Sequence, residues 1–454
     1  MNTSVDSRPA TGVQVPTHWY NVIADLAGYV PQDRRPAQQP GRHGLKPQLP
    51  LSIYRQSVSD EPYIEIPAEI RAQYENWRPT PLVRARRLEK ALGTPARIYY
   101  KYEAASPSGS HKLNSAIAQA YYYKKAGVRE LVTGTGAGQW GTALAMACTV
   151  YDLECTVYMV RCSYEQKPHR RVMMELNGAR VIPSPSVTTE AGKSILADDP
   201  DCAGSLSVAS SEAHEYANEG DGVRYSAGSG DNHVLLHQTV IGQEALAQMR
   251  ELGEYPDTVV AALGAGSNFA GLTMPFYRDA VDTGRSTRLV AVEPKSCPKL
   301  TRGVYTWDHH DALGNTPMSK MYTLGHTFIP SAIHAGGLRY HGAAPVISWM
   351  YHEGLVDAVA YGQNEVFEAG VAFARAEQVI PAPESAHAIR HVIDRAVRAR
   401  ETGTPETILF NLSGHGLMDL GSYEKFLNGL LEDDSAAEAE VEQALARLSQ
   451  TAIR

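Results

Sequence analysis

Lys112 is the residue with the clearest capacity for covalent chemistry, in the segment Ser108-Gly109-Ser110-His111-Lys112-Leu113-Asn114. This segment stands between a strand-like run and a helix-like run. Small residues there let the backbone approach a ligand, and a helix start offers unpaired N–H groups to an anion. A lysine in such a place can form an imine with a carbonyl cofactor. Taken alone, the same pattern also fits a solvated surface lysine.

A phosphate cradle is predicted at Leu263-Gly264-Ala265-Gly266-Ser267-Asn268, which follows the apolar run DTVVAA and opens the helical run FAGLTMPFY. Glycines, a hydroxyl and an amide at a strand-to-helix turn bind phosphate through backbone N–H groups and the helix dipole. A plain tight turn and half of a dinucleotide fingerprint are the alternatives. The spacing G-x-G-x-x-G is not met, so a phosphate on a compact cofactor fits better than a dinucleotide.

Two further segments follow predicted strands. The first, Gly134-Thr135-Gly136-Ala137-Gly138-Gln139-Trp140-Gly141, offers N–H groups and a hydroxyl to a substrate carboxylate. A flexible connector fits it less well, because connectors seldom carry Gln-Trp. The second, Asn411-Leu412-Ser413-Gly414-His415-Gly416, places a serine that could hydrogen-bond a pyridine nitrogen without protonating it, with a helix cap as the alternative.

The elements that must position these segments alternate between short β-branched runs and longer helical patterns from about residue 96 onward. Such alternation predicts βαβ units on parallel sheets, in two α/β domains with a ligand cleft between them. We expect residues 1–77 and 111–230 in an N-terminal domain, and residues 78–110 and 231–430 in a C-terminal cofactor domain. The Pro- and Gln-rich first 50 residues predict an extended arm that wraps the body or a partner, and residues 431–454 predict a solvated acidic helix.

Bulk composition limits the class of function. The chain has 454 residues, 43% of them hydrophobic, and a formal net charge of −8. The charge and the absence of a Lys/Arg block argue against nucleic acid or membrane as a partner, so a small-molecule substrate is expected. The five cysteines form no C-x-x-C pair and there is no apolar run of about 18 residues. We therefore expect a cytoplasmic protein with neither disulfides nor a metal site.

In this order, S-x-S-H-K-x-N, T-G-A-G-Q, G-x-G-S-N and L-S-G-H-G resemble the tryptophan synthase β chain, a fold-type II pyridoxal-phosphate enzyme. The resemblance runs from about residue 20 to residue 427. NWRPTPLVRA, GQWG, MYTLGH and HAGGLRYHG are similar to the second branch of that family. The fold implied is a two-domain α/β enzyme, with parallel sheets flanked by helices and the active site in the inter-domain cleft.

The resemblance implies that the cofactor is pyridoxal 5′-phosphate and that Lys112 binds it covalently, then moves the substrate Cα proton. The other implied cofactor contacts are His111 beside the phosphate, Asn114 at the pyridoxal O3′, Gly264, Ala265, Gly266, Ser267 and Asn268 around the phosphate, Glu384 near the ring and Ser413 at the pyridine nitrogen. A neutral serine at that nitrogen keeps the ring weakly electron-withdrawing, which favours chemistry at Cβ.

The substrate side is implied in the same way. The residues expected to hold the amino-acid carboxylate are Thr135, Gly136, Ala137, Gly138, Gln139 and Trp140. Residues from about 127 to 215 are expected to close over the substrate. Arg339 stands where the main branch has an aspartate that latches this closure, so a rearranged latch is expected. A homodimer is implied, whereas a tight complex with an α-type subunit is not, and no motif identifies a monovalent cation site.

Gly134 departs from the family pattern E-T-G-A-G-Q, because the catalytic glutamate is replaced by glycine. In relatives that glutamate is thought to assist loss of the serine hydroxyl and to accept the indole N–H. Such acid–base help is worth on the order of 10²- to 10⁴-fold in rate. Gly134 is expected to leave an open volume where the nucleophile docks. An engineered substitution, a natural specialist and a degraded copy all remain open.

The resulting prediction is β-replacement on L-serine with indole as the family's nucleophile, to give L-tryptophan. Gly134 predicts poor indole use, or a preference for a bulkier or phenol-like nucleophile. One alternative is a serine or threonine deaminase, in which water rather than a nucleophile completes the reaction. Another is a catalytically silent subunit that acts through assembly.

Overall fold

The computed structural model of the chain describes residues 12–30, 33–34, 47–432 and 437–452. Its strands are β1 (His18–Tyr20), β2 (Asp33–Arg34), β3 (Tyr63–Glu65), β4 (Leu82–Arg84), β5 (Arg97–Tyr102), β6 (Glu130–Thr135), β7 (Glu154–Val160), β8 (Arg180–Ser184), β9 (Val223–Tyr225), β10 (Thr258–Ala262), β11 (Arg288–Pro294), β12 (Val304–His309), β13 (Met318–Thr323), β14 (Asp357–Tyr361) and β15 (Thr407–Leu412).

The helices are α1 (Leu51–Val58), α2 (Ala68–Tyr74), α3 (Arg86–Leu92), α4 (Leu113–Lys125), α5 (Gln139–Val150), α6 (Arg161–Gln166), α7 (Pro168–Leu176), α8 (Glu190–Asp198), α9 (Leu206–Glu219), α10 (Asn232–Gln238), α11 (Val240–Glu251), α12 (Ser267–Thr283), α13 (Pro345–His352), α14 (Gln363–Glu377), α15 (Pro383–Thr402), α16 (Leu420–Leu427) and α17 (Ala437–Ala452). No helix of the described ranges is long and apolar enough to cross a membrane.

A 6-stranded sheet has the order β14-β11-β10-β15-β5-β4, and all its pairs are parallel except that of β4 with β5. Its central strands β10 and β15 are buried along their whole length. They are continuous apolar runs, as expected of parallel strands covered by helices on both faces. Helix α15 packs against this sheet with the apolar side that includes Ile389 and Val392.

A 4-stranded parallel sheet has the order β8-β7-β6-β9 and belongs to residues 130–225. Strand β6 is fully buried, although its sequence ELVTGT contains two threonines and a glycine. Helix α9 lies on one face through Ala209, Ala213 and Ala217, whose small side chains allow a close approach to Val132. Both sheets are parallel and flanked by helices, which confirms the predicted fold class.

The structure differs from the sequence predictions at three elements. The run HVLLHQTVIGQEALAQMREL, predicted as one helix, is divided into α10 and α11 at Thr239. The hydroxyl of Thr239 donates to the Leu236 carbonyl at 2.7 Å and accepts the Tyr20 N–H at 3.0 Å, so it tethers β1 at the break. The antiparallel hairpin of β12 and β13 was not predicted. The predicted tail helix is present as α17, but it is not wholly solvated, since Val441 is buried.

The N-terminal arm is only partly described. Residues 1–11, 31–32 and 35–46 of it lie outside the described ranges. Within them, β1 pairs with β3, and β2 pairs with β13. Trp19 is fully buried, so this part of the arm packs onto the body of the chain.

Candidate active site

A cavity of about 1990 Å³ lies at the carboxyl ends of β6 and β10. Ligands of open parallel sheets bind at this end of the strands. Of the predicted site residues, those that line the cavity are Lys112, Gly134, Thr135, Gly136, Ala137, Gln139, Trp140 and Ala265. The structure therefore brings together two segments that are about 130 residues apart in the sequence. No group of residues suited to a metal ion is present among the described residues.

Lys112 lies immediately before α4 and directs its amine into this cavity. The Nζ atom donates to the Gly228 carbonyl at 2.9 Å and to the Ser267 hydroxyl at 3.2 Å. Burial lowers the pKa of Lys112 to about 8, against the opposing effect of the Glu384 carboxylate. A larger neutral fraction at ordinary pH makes this amine a better nucleophile than a solvated lysine.

His111 joins the two strand ends beside Lys112. Its Nε2 is 3.2 Å from the Ser267 hydroxyl, and its Nδ1 is 3.3 Å from the Ser413 carbonyl. Burial and the neighbouring Lys112 lower the pKa of His111 to about 3, so the imidazole is neutral at ordinary pH. A neutral ring here orients the Ser267 hydroxyl without adding a buried charge.

The turn from Gly264 to Asn268 requires its glycines for two separate reasons. A Cβ on Gly264 would lie 2.5 Å from the Gly337 carbonyl oxygen, so the close approach of two loops excludes a side chain. Gly266 has φ of +146°, a conformation that favours glycine. Ser267 is the first residue of α12, a helix of 17 residues. Asn268 instead donates to the Ala262 carbonyl and accepts from Asn411, so its amide holds the turn to the strands.

Ser413 and Glu384 lie on the far side of this turn, outside the cavity lining. The Ser413 hydroxyl is 2.8 Å from the hydroxyl of Ser385, which also contacts both polar atoms of the Gly414 backbone. Glu384 Oε1 accepts the Gly337 N–H at 2.8 Å. Its Oε2 is buried and has no partner among the described residues.

The segment after β6 approaches the loop at Gly336–Leu338. A Cβ on Gly136 would lie 2.7 Å from the Gly336 carbonyl oxygen, and Gly138 has φ of +97°. The indole N–H of Trp140 donates to the Thr133 hydroxyl at 2.8 Å. Its ring packs on Gly228, where any Cβ would lie 2.5 Å from the ring. Trp140 is therefore a wall of the cavity, and its N–H is already used within the protein.

The expectation that Gly134 leaves an open volume is wrong. A Cβ on Gly134 would lie 2.9 Å from the Ala209 carbonyl carbon and 2.9 Å from the Ser210 nitrogen. Helix α9 therefore occupies the place of a side chain at this position with its own backbone. The glycine at this position allows the close packing of α9 on β6.

Asn114 is not brought to the cavity. Its amide donates to Glu103 and Gln238 at 3.0 Å each, and its carbonyl accepts from Arg78 at 2.7 Å. Arg78 also pairs with the buried carboxylates of Glu103 and Glu244. The motif NWRPTP thus supplies the arginine of a buried ion network, and Asn114 belongs to that network.

Sequence reasoning missed two residues that contact the predicted ones. Gly228, whose carbonyl accepts from Lys112, lies in the run SAGSG after β9. This run has the same small-residue composition after a strand as the two turns that were recognised. Ser385, which holds Ser413, had no signal of its own, because a serine in the first turn of a helix is usually a cap.

Pyridoxal phosphate fits this set of groups. Lys112 offers an activated amine to its aldehyde, and the start of α12 with Ser267 offers donors to its phosphate. Residues 74–414 match the family described as pyridoxal-phosphate dependent enzymes. The fold and the site together define an enzyme that depends on this cofactor.

Curated relatives narrow the class further. The chain is 53% identical to a tryptophan synthase beta chain 2 of Methanosarcina mazei, over 92% of this chain and 95% of the relative. It is 54% identical to the protein of the same description from Aeropyrum pernix, over 92% and 95%. A third, from Pyrococcus abyssi, is 53% identical over 92% and 96%. The chain belongs to the tryptophan synthase β-chain family.

Solved structures agree on the fold. A fungal L-serine ammonia-lyase from Rhizomucor miehei superposes with a TM-score of 0.55 at 14% identity, covering 78% of this chain and 98% of that one. A bacterial threonine deaminase, from the organism abbreviated T.th., gives 0.50 at 19% identity, over 76% and 97%. At these identities the similarity concerns the fold alone.

Proposed function

We propose that this enzyme replaces the β-hydroxyl of L-serine with an aromatic acceptor, and that indole, giving L-tryptophan, is the acceptor of the family reaction. The observation that carries the proposal is the Lys112 amine, which lies in the cavity with a lowered pKa, in a chain 53% identical to tryptophan synthase beta chains. Bound pyridoxal phosphate supplies an electron sink for negative charge at the substrate Cα.

Lys112 would attach the cofactor and then move the proton at the serine Cα. Its present partners, the Gly228 carbonyl and the Ser267 hydroxyl, keep the amine at the cavity surface. His111 and Ser267, with the backbone of Gly264 to Gly266, would hold the phosphate. Ser413 would face the ring nitrogen from the Ser385 contact, and Glu384 would lie near the ring.

The segment Thr135 to Trp140 would bind the serine carboxylate with the N–H groups at the start of α5. Gly136 and Gly138 allow this backbone to come close to a ligand. Trp140 would exclude water from the reacting atoms, since it forms a wall of the cavity without a free N–H. Asn114 would act only by positioning Arg78 and the carboxylates behind the site.

We also propose that the enzyme is a cytoplasmic homodimer that does not bind an α-type subunit tightly. Residues 127–215 would close over bound serine. This range contains β6, which lines the cavity, and α9, which covers Gly134.

The proposal is tested by absorption spectra of the cofactor-loaded enzyme before and after L-serine, followed by assay with indole. We expect a cofactor band that shifts with serine, and tryptophan detected by mass spectrometry. Lys112→Ala should lose both, whereas Lys295→Ala, a surface lysine paired with Glu365, should lose neither. A cofactor band that serine leaves unchanged would point instead to a silent subunit.

Deamination is the second outcome to be measured. Ammonia release from serine or threonine without an added acceptor, at a rate that indole does not lower, would favour a deaminase. The solved deaminase and ammonia-lyase structures share the fold alone. They give that activity less support than the curated relatives give tryptophan formation.

A further inference from the structure

One face of α9 forms a wall of the cavity. The residues of this face that line it are Leu206, Ser210, His214 and Asn218. They are spaced four apart and therefore lie above one another on the helix. We call this set the α9 wall. Three of its four side chains are polar, which is unusual for a surface that would contact an aromatic hydrocarbon alone.

Gly134 determines where the α9 wall stands. Because a Cβ at Gly134 would lie 2.9 Å from the Ser210 nitrogen, the wall reaches this position only in the absence of a side chain. His214 is one helical turn beyond Ser210, about 6 Å along the axis. The loss of the family's glutamate and the arrival of an imidazole in the cavity are thus parts of one arrangement.

His214 is held by stacking rather than by hydrogen bonds. Its ring lies on Tyr225 with centroids 3.8 Å apart and an interplanar angle of 27°. Neither ring nitrogen has a hydrogen-bond partner within the described part of the chain. The other histidines that line the cavity, His309, His310 and His326, each have a ring nitrogen engaged. His214 therefore has acceptor capacity that the fold does not use.

We propose that His214 is the catalytic residue on the acceptor side, where its unprotonated ring nitrogen accepts a hydrogen bond from an N–H or O–H of the aromatic acceptor. This rests on the proposed function, and it names the acceptor class as aromatic compounds that carry such a donor. The Cβ–O bond of serine and one C–H bond of the acceptor break, and a Cβ–C bond forms. The hydroxyl leaves with that proton as water, so no further reactant is required.

The charges around His214 suit this role. Burial lowers the pKa of His214, while the carboxylates of Asp231 and Asp311 oppose this and His310 adds to it. Tyr225, stacked on the ring, has a raised pKa because it is buried, so it remains a neutral phenol. The imidazole is accordingly unprotonated at neutral pH and able to accept a hydrogen bond.

The experiment compares indole with 1-methylindole, which lacks the N–H, in competition for the serine-loaded enzyme. We expect the unmodified enzyme to prefer indole, by about tenfold, the value of one buried hydrogen bond. His214→Phe keeps the stack on Tyr225 but should lose this preference. His214→Gln, which keeps an acceptor oxygen, should retain part of it, and His169→Leu, on the exposed side of α7, should retain all of it.

Two further measurements separate the possible failures. The spectral response to serine and the melting temperature should be the same in His214→Phe as in the unmodified enzyme. If serine has no effect on the unmodified enzyme, the proposed function has failed. If serine acts normally and His214→Phe still prefers indole as strongly, the assignment of His214 is overturned. The acid limb of the indole rate should disappear in His214→Gln, because glutamine does not titrate in this range.

Discussion

The chemistry of Lys112 depends on two opposing neighbours. Burial disfavours the charged ammonium, and the Glu384 carboxylate favours it, with a resulting pKa of about 8. The Glu384 oxygen that has no partner among the described residues is available to influence whatever occupies the cavity edge. The same carboxylate therefore adjusts the amine and holds the Gly337 loop in place.

Attachment of pyridoxal phosphate to the cofactor-free enzyme should accelerate as the pH rises through about 8, because the neutral amine of Lys112 is the nucleophile. Glu384→Gln removes the charge that raises this pKa, so the midpoint should move to lower pH. Stopped-flow absorbance over a range of pH measures it. Glu365→Gln, a surface carboxylate, is the control. An unchanged midpoint in Glu384→Gln would contradict the coupling.

Gly134→Ala should destabilise the enzyme by about 1–3 kcal/mol, because the added methyl group meets the backbone of α9. Gly134→Glu should be at least as costly and should not restore brisk tryptophan formation unless α9 moves. Thermal and urea unfolding measure the first effect, and an indole assay measures the second. Gly421→Ala, at a helical glycine with open space around it, should be neutral or stabilising. Equal stability of Gly134→Ala and the unmodified enzyme would refute this packing.

At this scale, sequence motifs predicted which residues would meet, but not how each uses its polar atoms. Lys112 and Ser267 do lie within hydrogen-bond distance. Asn114 has a suitable type and position in the motif, yet its amide is used by buried charges. That outcome depends on the packing of Arg78, more than thirty residues away, and local sequence carries no information about it.

Helix α7 is the element that connects the predicted closing segment to the rest of the molecule. The Lys167 amine just before it contacts the Asp419 carboxylate at 2.5 Å, and an Arg170 guanidinium nitrogen lies 3.5 Å from the same carboxylate. Arg339, at the position of the family's latch aspartate, donates instead to the Cys162 sulfur at 2.8 Å. We infer that Asp419 serves as the latch in this chain.

Asp419→Asn should leave two buried cations without a full counter-charge and destabilise the enzyme by about 3 kcal/mol. Limited proteolysis should then cut residues 127–215 faster, at a rate that bound serine no longer lowers. Asp357→Asn breaks an exposed pair with Arg288 and should cost less than about 1 kcal/mol. Proteolysis of Asp419→Asn at the normal rate would argue against a latch.

Elements with a clear period were predictable, whereas their interruptions were not. The apolar run of β10 and the helical pattern of α15 follow directly from composition. The break between α10 and α11 has no glycine or proline to announce it, since it depends on the tether from Thr239 to Tyr20. The hairpin of β12 and β13 carries polar side chains on both sides and lacks the alternation that identifies a strand.

At the scale of the whole molecule, α17 covers a small apolar cluster near the C-terminus. Val441 packs with Cys297, Leu324 and Phe328, all buried. The acidic composition of this tail predicted a solvated helix because its few apolar residues are spread among many charges. A single buried valine is enough to dock it.

Removal of residues 433–454 should lower the melting temperature and expose the Cys297 thiol. Burial raises the pKa of this thiol, so it should be unreactive in the full chain. Reaction with a chromogenic thiol reagent under native conditions measures the difference. We expect slow labelling of the full chain and rapid labelling of one thiol in the shortened chain. Equal rates in the two would mean that α17 does not protect the cluster.

All five cysteines are free and buried. An exposed position on α7, such as Leu176 with 80% of its surface accessible, could therefore receive a cysteine that reacts first with a maleimide dye. A single fluorophore at that place would give the opening and closing of individual molecules as steps in brightness. The same protein that hides its sulfur atoms thus offers an almost silent background for single-molecule recording.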